Sequence, residues 1–173
     1  MLKTTKPFNF LGYYNITTFL EKYNQLDWFE YTQRQKIRFG MEDTLTVPLH
    51  WQHDFLHVRK WNQSKLFEKE ISELDELMHT HFGEGTLMTC VLTNLPAGKS
   101  IKMHYDAMPF FHNSHRVHIP LITNEKVIFK IHDEEKHMKV GEVWEINNAR
   151  YYHGVFNGGD TDRIHLMLDW QFK

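Results

Sequence analysis

From Gly85 onward the chain breaks into short apolar segments separated by turn residues, and that spacing leaves few folds open to it. The segments run roughly over 86–93, 100–106, 116–122, 127–131, 136–140, 143–146, 152–156 and 163–170. Between them stand Pro96-Ala97-Gly98, Thr123-Asn124, Asp133-Glu134-Glu135, Val140-Gly141-Glu142 and Gly158-Gly159-Asp160. Antiparallel strands in this number predict a jelly roll, a folded double sheet with a pocket between its layers. The last segment shows the alternation best. Ile164, Leu166, Leu168 and Trp170 fall on one face, to pack under helices, while Arg163, His165, Met167 and Asp169 fall on the other, to line the pocket.

The first half reads differently. A short helix is expected from about Thr17 to Asn24, packing Phe19, Leu20 and Tyr23. Thr44 to Leu49 reads as a strand near a sheet edge, because Pro48 has no N–H for a ladder. Ser64 is the expected N-cap of a helix running to about His81, with Phe67, Ile71, Leu74 and Leu77 or Met78 at helical spacing, and Gly83 and Gly85 end it. A chain of 173 residues suits one domain, with a helical and edge-strand part over 1–85 and a jelly-roll core over 86–173.

Composition excludes several classes of function. A net charge of −2 offers no clustered cations for phosphate, so no nucleic-acid partner is expected. No apolar stretch has signal-peptide or membrane-span length. The single Cys90, inside an apolar run, has no disulfide partner in the chain and reads as a small buried side chain. The expectation is a cytoplasmic protein, a monomer or weak dimer, with no membrane partner.

Two residues apart, His104 and Asp106 of Met103-His104-Tyr105-Asp106 present an imidazole and a carboxylate to the same side of a strand. With thirteen histidines such a pair arises easily by chance, so it needs support from elsewhere. His153, in the apolar stretch Tyr152 to Phe156, completes two histidines and one carboxylate, the facial triad that holds iron(II) with coordination positions left open. Arg163 follows ten residues later, across a turn rich in Gly and Asp. If the two segments form a hairpin whose loop spans Asn157 to Thr161, Arg163 shares a face with His153 and can grip a carboxylate in the pocket. A loop one residue shorter turns it away, leaving a surface arginine.

Five stretches, His104-Tyr105-Asp106, Arg116 to Leu121, Gly141 to Asn148, His153, and Arg163 to Trp170, resemble the aspartyl/asparaginyl β-hydroxylase family in order and spacing. Those are iron(II)- and 2-oxoglutarate-dependent oxygenases on a double-stranded β-helix, a cupin-like jelly roll. The resemblance spans Thr86 to Trp170. It implies that His104, Asp106 and His153 bind Fe(II), and that Arg163 holds the distal carboxylate of 2-oxoglutarate. Thr93 falls where the family has a hydroxyl aiding that carboxylate; its other reading is a strand threonine bonded to backbone. His118 matches a position near the metal-bound carboxylate of the cosubstrate, and Arg116 an arginine near cosubstrate or substrate. The family's animal enzymes carry a glycine where this chain has Asp106, so the chain resembles the full-triad branch, which includes hydroxylases of free proline.

The implied activity is that of a dioxygenase using O2 and 2-oxoglutarate to hydroxylate an amino-acid carbon, in a peptidyl Asp or Asn or related residue. A free amino acid such as proline is the alternative substrate, and a non-catalytic cupin-like metal- or ligand-binding module the alternative class. The partner is thus a small molecule or a peptide. Asn147, Asn148 and Tyr105 are candidates to hold the outer ring nitrogens of the ligand histidines. His112 and His115 are expected in a loop at the pocket mouth.

Overall fold

The computed structural model describes residues 3–26, 28, 43–52 and 56–172, whose strands form two antiparallel sheets. The larger has the order β1 (Phe8–Tyr13), β9 (Glu142–Ile146), β6 (Ser114–Ile122), β11 (Arg163–Phe172), β4 (Gly85–Leu95), β2 (Leu45–Gln52) and β3 (Val58–Lys60). The smaller has the order β5 (Ser100–His104), β10 (His153–Asn157), β7 (Val127–Ile131) and β8 (Glu134–Lys136). Helices α1 (Thr17–Lys22) and α2 (Glu68–Phe82) belong to the first half, and a single turn, α3 (Pro109–His112), leads into β6. This is the jelly roll predicted from strand spacing.

Alternation along the central strands separates two environments. Ile164, Leu166, Leu168 and Trp170 of β11 join Cys90 and Leu92 of β4 and Val117 and Ile119 of β6 in a cluster with Phe19, Phe67, Ile71, Leu74, Met78 and Phe82. The opposite faces of the same strands turn toward the small sheet. There Leu95, Val127, Phe129, Ile131 and Val155 belong to a second cluster. Cys90 is fully buried in the first cluster, and burial pushes its thiol pKa up, which makes it a packing residue.

Several boundaries differ from expectation for identifiable reasons. Ser64 does not cap α2: it lies in a 3-10 turn over Asn62–Phe67, and the helix starts at Glu68 with no side-chain cap. Glu68 and Glu70 in its first turn complement the helix dipole instead. β8 falls at Glu134–Lys136, earlier than the predicted 136–140, because a two-residue turn at His132-Asp133, with His132 at φ 54°, returns the chain at once. The charge of Glu134 and Glu135 reads as loop, yet it suits the exposed edge strand they occupy. β1 was not foreseen; it pairs with β9 and shifts register at Gly12, whose φ of 136° lies outside the range comfortable for other residues. The stretch 29–42 lies outside the described residues.

The largest correction concerns β10 and β11. They do not form a hairpin: β10 pairs with β5 and β7 in the small sheet, and β11 with β4 and β6 in the large one. The connection between them crosses from sheet to sheet. Asn157 secures the crossing, its side-chain amide donating to the carbonyls of Leu95, Pro96 and Thr161 at 3.0, 3.2 and 2.9 Å. Among the described residues no helix is long and apolar enough to cross a membrane.

Because Leu166 is fully buried between β11's neighbours and the helices, Leu166→Ala is expected to lose roughly 2–5 kcal/mol in denaturant unfolding. Val140→Ala, at an exposed site, should stay within about 0.5 kcal/mol of the parent.

Candidate functional site

A cavity of about 360 Å³ opens between the sheets, and its walls follow from the alternation. The large sheet contributes Thr89, Val91 and Thr93 from β4, Arg116 and His118 from β6, and Arg163, Met167 and Asp169 from β11. The small sheet contributes Ile101 and His104 from β5, Phe129 from β7, and His153, Gly154 and Val155 from β10. Met108, Phe111, Thr44, Trp51 and Gln52 complete the wall.

His104 and His153 are cross-strand partners in the pairing of β5 with β10, so register alone puts both rings on one face, with centroids 4.3 Å apart. β5 ends at His104, and Asp106 lies two residues beyond it, held by its N–H donating to the Asn148 carbonyl at 3.0 Å. One ligand-type atom from each of the three residues lies within 4.8 Å of the others. The same-strand argument for His104 and Asp106 therefore fails in detail, while the juxtaposition it predicted is present. Gly154 permits the close pairing: a Cβ there would sit 2.8 Å from the Ile101 carbonyl oxygen and 3.0 Å from the Met103 sulfur.

The donor set fits a metal ion. His104 Nδ1 meets the Lys102 carbonyl at 2.7 Å and His153 Nδ1 the Tyr151 carbonyl at 3.3 Å. A carbonyl only accepts, so each Nδ1 carries the proton and each Nε2 keeps its lone pair for a ligand role. His104 Nε2 is buried with no hydrogen-bond partner, as an open ligand atom would be. These orienting contacts come from backbone two residues upstream in each case. The expectation that Asn147, Asn148 or Tyr105 would hold the histidines is thus replaced. Asn148 instead donates to Asp106 Oδ2 at 2.7 Å, Asn147 donates to the Thr4 carbonyl, and Tyr105 packs on Tyr152.

Protonation states are set by burial. It pushes the His153 pKa down to about 4, against an opposing pull from Asp106. Burial would raise the pKa of Asp106, but the Arg116 guanidinium, with the Asn148 amide, outweighs it and holds the carboxyl below its usual value. His153 is thus poised as a neutral imidazole beside the Asp106 carboxylate.

Arg116 and Arg163 are both buried and have opposite surroundings. Arg116 donates from Nε and Nη2 to the two oxygens of Asp169, both at 2.8 Å, and from Nη1 to Asp106 Oδ2. The pairing of β6 with β11 sets Arg116 directly opposite Asp169, so the fork is a register consequence. The position expected near cosubstrate or substrate is therefore engaged by two carboxylates. Arg163 has no carboxylate partner among the described residues; its Nη2 donates to His165 Nδ1 at 2.8 Å, and its Nε is buried and unpaired. Burial pushes its pKa down to about 9.

The remaining predicted residues also reach this cavity. His118 is buried with Nδ1 unpartnered, and burial followed by the charge of Arg163 holds its pKa well below the ordinary value. The Thr93 hydroxyl donates to the His165 carbonyl at a long 3.3 Å while the residue lines the wall, so features of both its readings are present. His115 is not in a mouth loop. It lies fully buried on β6, stacked on Phe82 at 4.0 Å and donating to Glu145 at 2.8 Å. His165 was missed as a site residue; its place on the Arg163 face of the last strand was the available signal. Lys3, which reaches the Asn148 amide at 2.9 Å, had none.

His118, His153 and His165 all have pKa values depressed from 6.5, so the unfolded chain binds more protons than the folded one as pH falls below that value. Their contribution is complete above about 6.5 and is lost on the way down, through about 4 for His153. In chelator-treated protein the thermal midpoint should therefore drop between pH 7 and pH 5, less steeply in His118→Gln. A midpoint constant over that range would contradict the assignment.

Comparison with known proteins gives a consistent picture. The sequence profile of the aspartyl/asparaginyl beta-hydroxylase family matches residues 15–171. The L-proline cis-4-hydroxylase of Rhizobium meliloti (strain 1021) is 28% identical over 103 residues, 60% of this chain and 36% of that protein, so the chain matches little more than a third of that relative's length. An oxidoreductase of the 2OG-Fe(II) oxygenase family from Burkholderia pseudomallei superposes with a TM-score of 0.63 at 17% identity, covering 76% of this chain and 69% of its own. HygX from Streptomyces hygroscopicus, solved with nickel, 2-oxoglutarate and hygromycin B bound, superposes with a TM-score of 0.64 at 12% identity, covering 98% and 84%. At such identities the structural likeness speaks for the fold.

Proposed function

Because the chain belongs to the aspartyl/asparaginyl β-hydroxylase family, we propose that it is an Fe(II)- and 2-oxoglutarate-dependent dioxygenase that hydroxylates an amino-acid carbon. The observation that carries this reading is Arg163. A guanidinium buried with no carboxylate among the described residues, in the same cavity as two histidines and an aspartate poised for a metal, suits a ligand that brings its own carboxylates.

In this reading His104, Asp106 and His153 hold iron through Nε2, a carboxylate oxygen and Nε2. Three ligands on one face leave room for a chelating keto acid and for O2. Bound iron and 2-oxoglutarate supply the oxidising power, with release of succinate and carbon dioxide. The protein's own groups bind and orient. Arg163 takes the distal carboxylate of 2-oxoglutarate, and its donation to His165 fixes the plane of the guanidinium. The Thr93 hydroxyl rotates from the His165 carbonyl to join it. His118, neutral and with an unpartnered ring nitrogen, meets the carboxylate nearer the metal. Arg116 keeps Asp106 ionised. Val91, Phe129, Val155 and Met167 line the cavity with apolar surface that limits water around the reacting carbon.

The substrate is an amino-acid unit, within a peptide as Asp, Asn or a related residue, or free. The free-amino-acid reading is favoured by one observation, the relative described as an L-proline hydroxylase. A non-catalytic cupin-like module remains the contrasting class, and Arg163 separates the two, since such a module has no use for a buried cation at cosubstrate depth.

Anaerobic titration with iron(II) and then 2-oxoglutarate should produce the visible charge-transfer band of a chelated keto acid. Arg163→Ala should weaken 2-oxoglutarate binding by roughly 2–5 kcal/mol, the range for removing one partner of a buried charged contact. His104→Ala, Asp106→Ala and His153→Ala should each abolish 2-oxoglutarate consumption in folded protein. A folded wild type that binds metal and gives no band would leave the binding module standing.

A further inference from the structure

Behind Asp106 runs a line of contacts that reaches the start of the described chain. Both side-chain bonds to Asp106 end on Oδ2, one from Arg116 Nη1 and one from Asn148 Nδ2 at 2.7 Å. The Asn148 amide is in turn bonded on its other side, its Oδ1 accepting from Lys3 Nζ at 2.9 Å. Lys3 Nζ also donates to the Phe111 carbonyl at 2.6 Å. Lys3 lies 145 residues away from Asn148 in sequence, so this contact is made only by the fold.

The chemistry of the three groups gives the line a direction. An amide has a donor end and an acceptor end of nearly equal shape, and rotation exchanges them. An ammonium only donates. With Lys3 in place, Oδ1 must face the ammonium and the NH2 must therefore face Asp106. Without it the buried amide oxygen loses that partner, and the side chain must shift to find another at the expense of its bond to Asp106. Asp106 then loses its second anchor and swings toward Arg116, which already bonds the same oxygen.

The arm that carries Lys3 is fastened along the stretch leading to His153. The Thr4 N–H donates to Glu145 Oε1 at 3.3 Å, the Asn147 side chain to the Thr4 carbonyl at 2.6 Å, and the Tyr151 hydroxyl to the Thr5 carbonyl at 3.0 Å. The Asn147 N–H donates to the Pro7 carbonyl at 3.1 Å. Lys3 is thus delivered to a fixed place, beside the loop whose Asn148 carbonyl receives the Asp106 N–H.

We infer that Lys3 is a positioning residue for Asp106: acting through Asn148, it fixes the amide so that Oδ2 is held from behind and Oδ1 is left to coordinate the metal. This rests on the metal role proposed for Asp106 above. The three residues form a relay, ammonium to amide to carboxylate, in which only the last touches the metal. The N-terminal arm is then part of the metal site, although no residue of it lines the cavity.

The test is a double-mutant cycle on metal affinity, with anaerobic iron(II) or cobalt(II) as the titrant and no cosubstrate present. Lys3→Met and Asn148→Ala should each weaken binding by roughly 10–100-fold, the range for losing a group that orients a ligand. The double variant should bind no more weakly than Asn148→Ala alone, because Lys3 acts only through that amide. Lys3→Arg, which still only donates, should bind close to the wild type. The visible cobalt(II) spectrum should change in Lys3→Met as the carboxylate alters its coordination. Lys22→Met supplies the control: it breaks a 2.6 Å ion pair with buried Glu70 on the helical side, so it lowers stability and should leave metal affinity unchanged. The inference is overturned if Lys3→Met binds metal like the wild type, if the two effects add, or if Lys22→Met lowers affinity by the same factor. A wild type that takes up no metal would instead overturn the function proposed for the site, a distinguishable result.

Discussion

Two guanidiniums are buried between the sheets, and the rest of the site is arranged by the opposite ways in which they are compensated. Removing a cation from water costs several kcal/mol unless charge and hydrogen bonds replace the lost hydration. Arg116 receives both from Asp169 and Asp106, and the pairing of β6 with β11 delivers the first of these without any loop having to fold correctly. Arg163 donates to the ring nitrogen of a neutral histidine. The first arginine is an internal fastening, and the second has no carboxylate partner among the described residues. Such a division lets one cavity keep a carboxylate ionised beside one cation while another cation stays available for a ligand.

The same logic links the histidines to the sheet. Cross-strand register makes His104 and His153 neighbours, backbone carbonyls two residues upstream fix their tautomers, and burial keeps His153 neutral. The cross-strand register is a property of the small sheet, so both imidazoles stand on paired strand residues. Asp106 is different. It stands past the end of β5, on irregular chain, and needs side chains to hold it: Arg116 from the large sheet and Asn148 from the loop before β10. The dependence of that loop on the N-terminal arm follows from this difference between strand-borne and loop-borne residues.

The strand spacing and the two faces of the last strand were legible because a sheet with one face under helices and the other around a cavity writes both into a period of two. Ile164, Leu166, Leu168 and Trp170 against Arg163, His165, Met167 and Asp169 is that pattern: the first four join the core, and Arg163, Met167 and Asp169 line the cavity, while His165 lies buried against Arg163. The hairpin drawn between His153 and Arg163 was wrong for a related reason. A Gly- and Asp-rich connection signals reversal of direction equally well within a sheet and between sheets, and local sequence does not say which. Arg163 reaches the cavity because β10 and β11 face each other from opposite layers. His115, in a polar pentapeptide, looked like a loop residue until Phe82 and Glu145 were seen to enclose it.

By itself the sequence determined the strand-rich class, the core face of each central strand, and the residue types able to hold a metal and an anion. These depend on side-chain chemistry and on periodicity, which are local. Only the tertiary structure decided which cation is neutralised and which is left for a ligand, which backbone groups orient the histidines, and that Lys3 stands behind Asp106. The Arg116–Asp169 fork, the His104–His153 pair and the Lys3–Asn148 contact join residues 53, 49 and 145 positions apart, and they exist only once strand register and the crossing between sheets have been chosen. Hydrogen bonds of a few ångströms are fixed by that choice, and no periodicity in the chain encodes it.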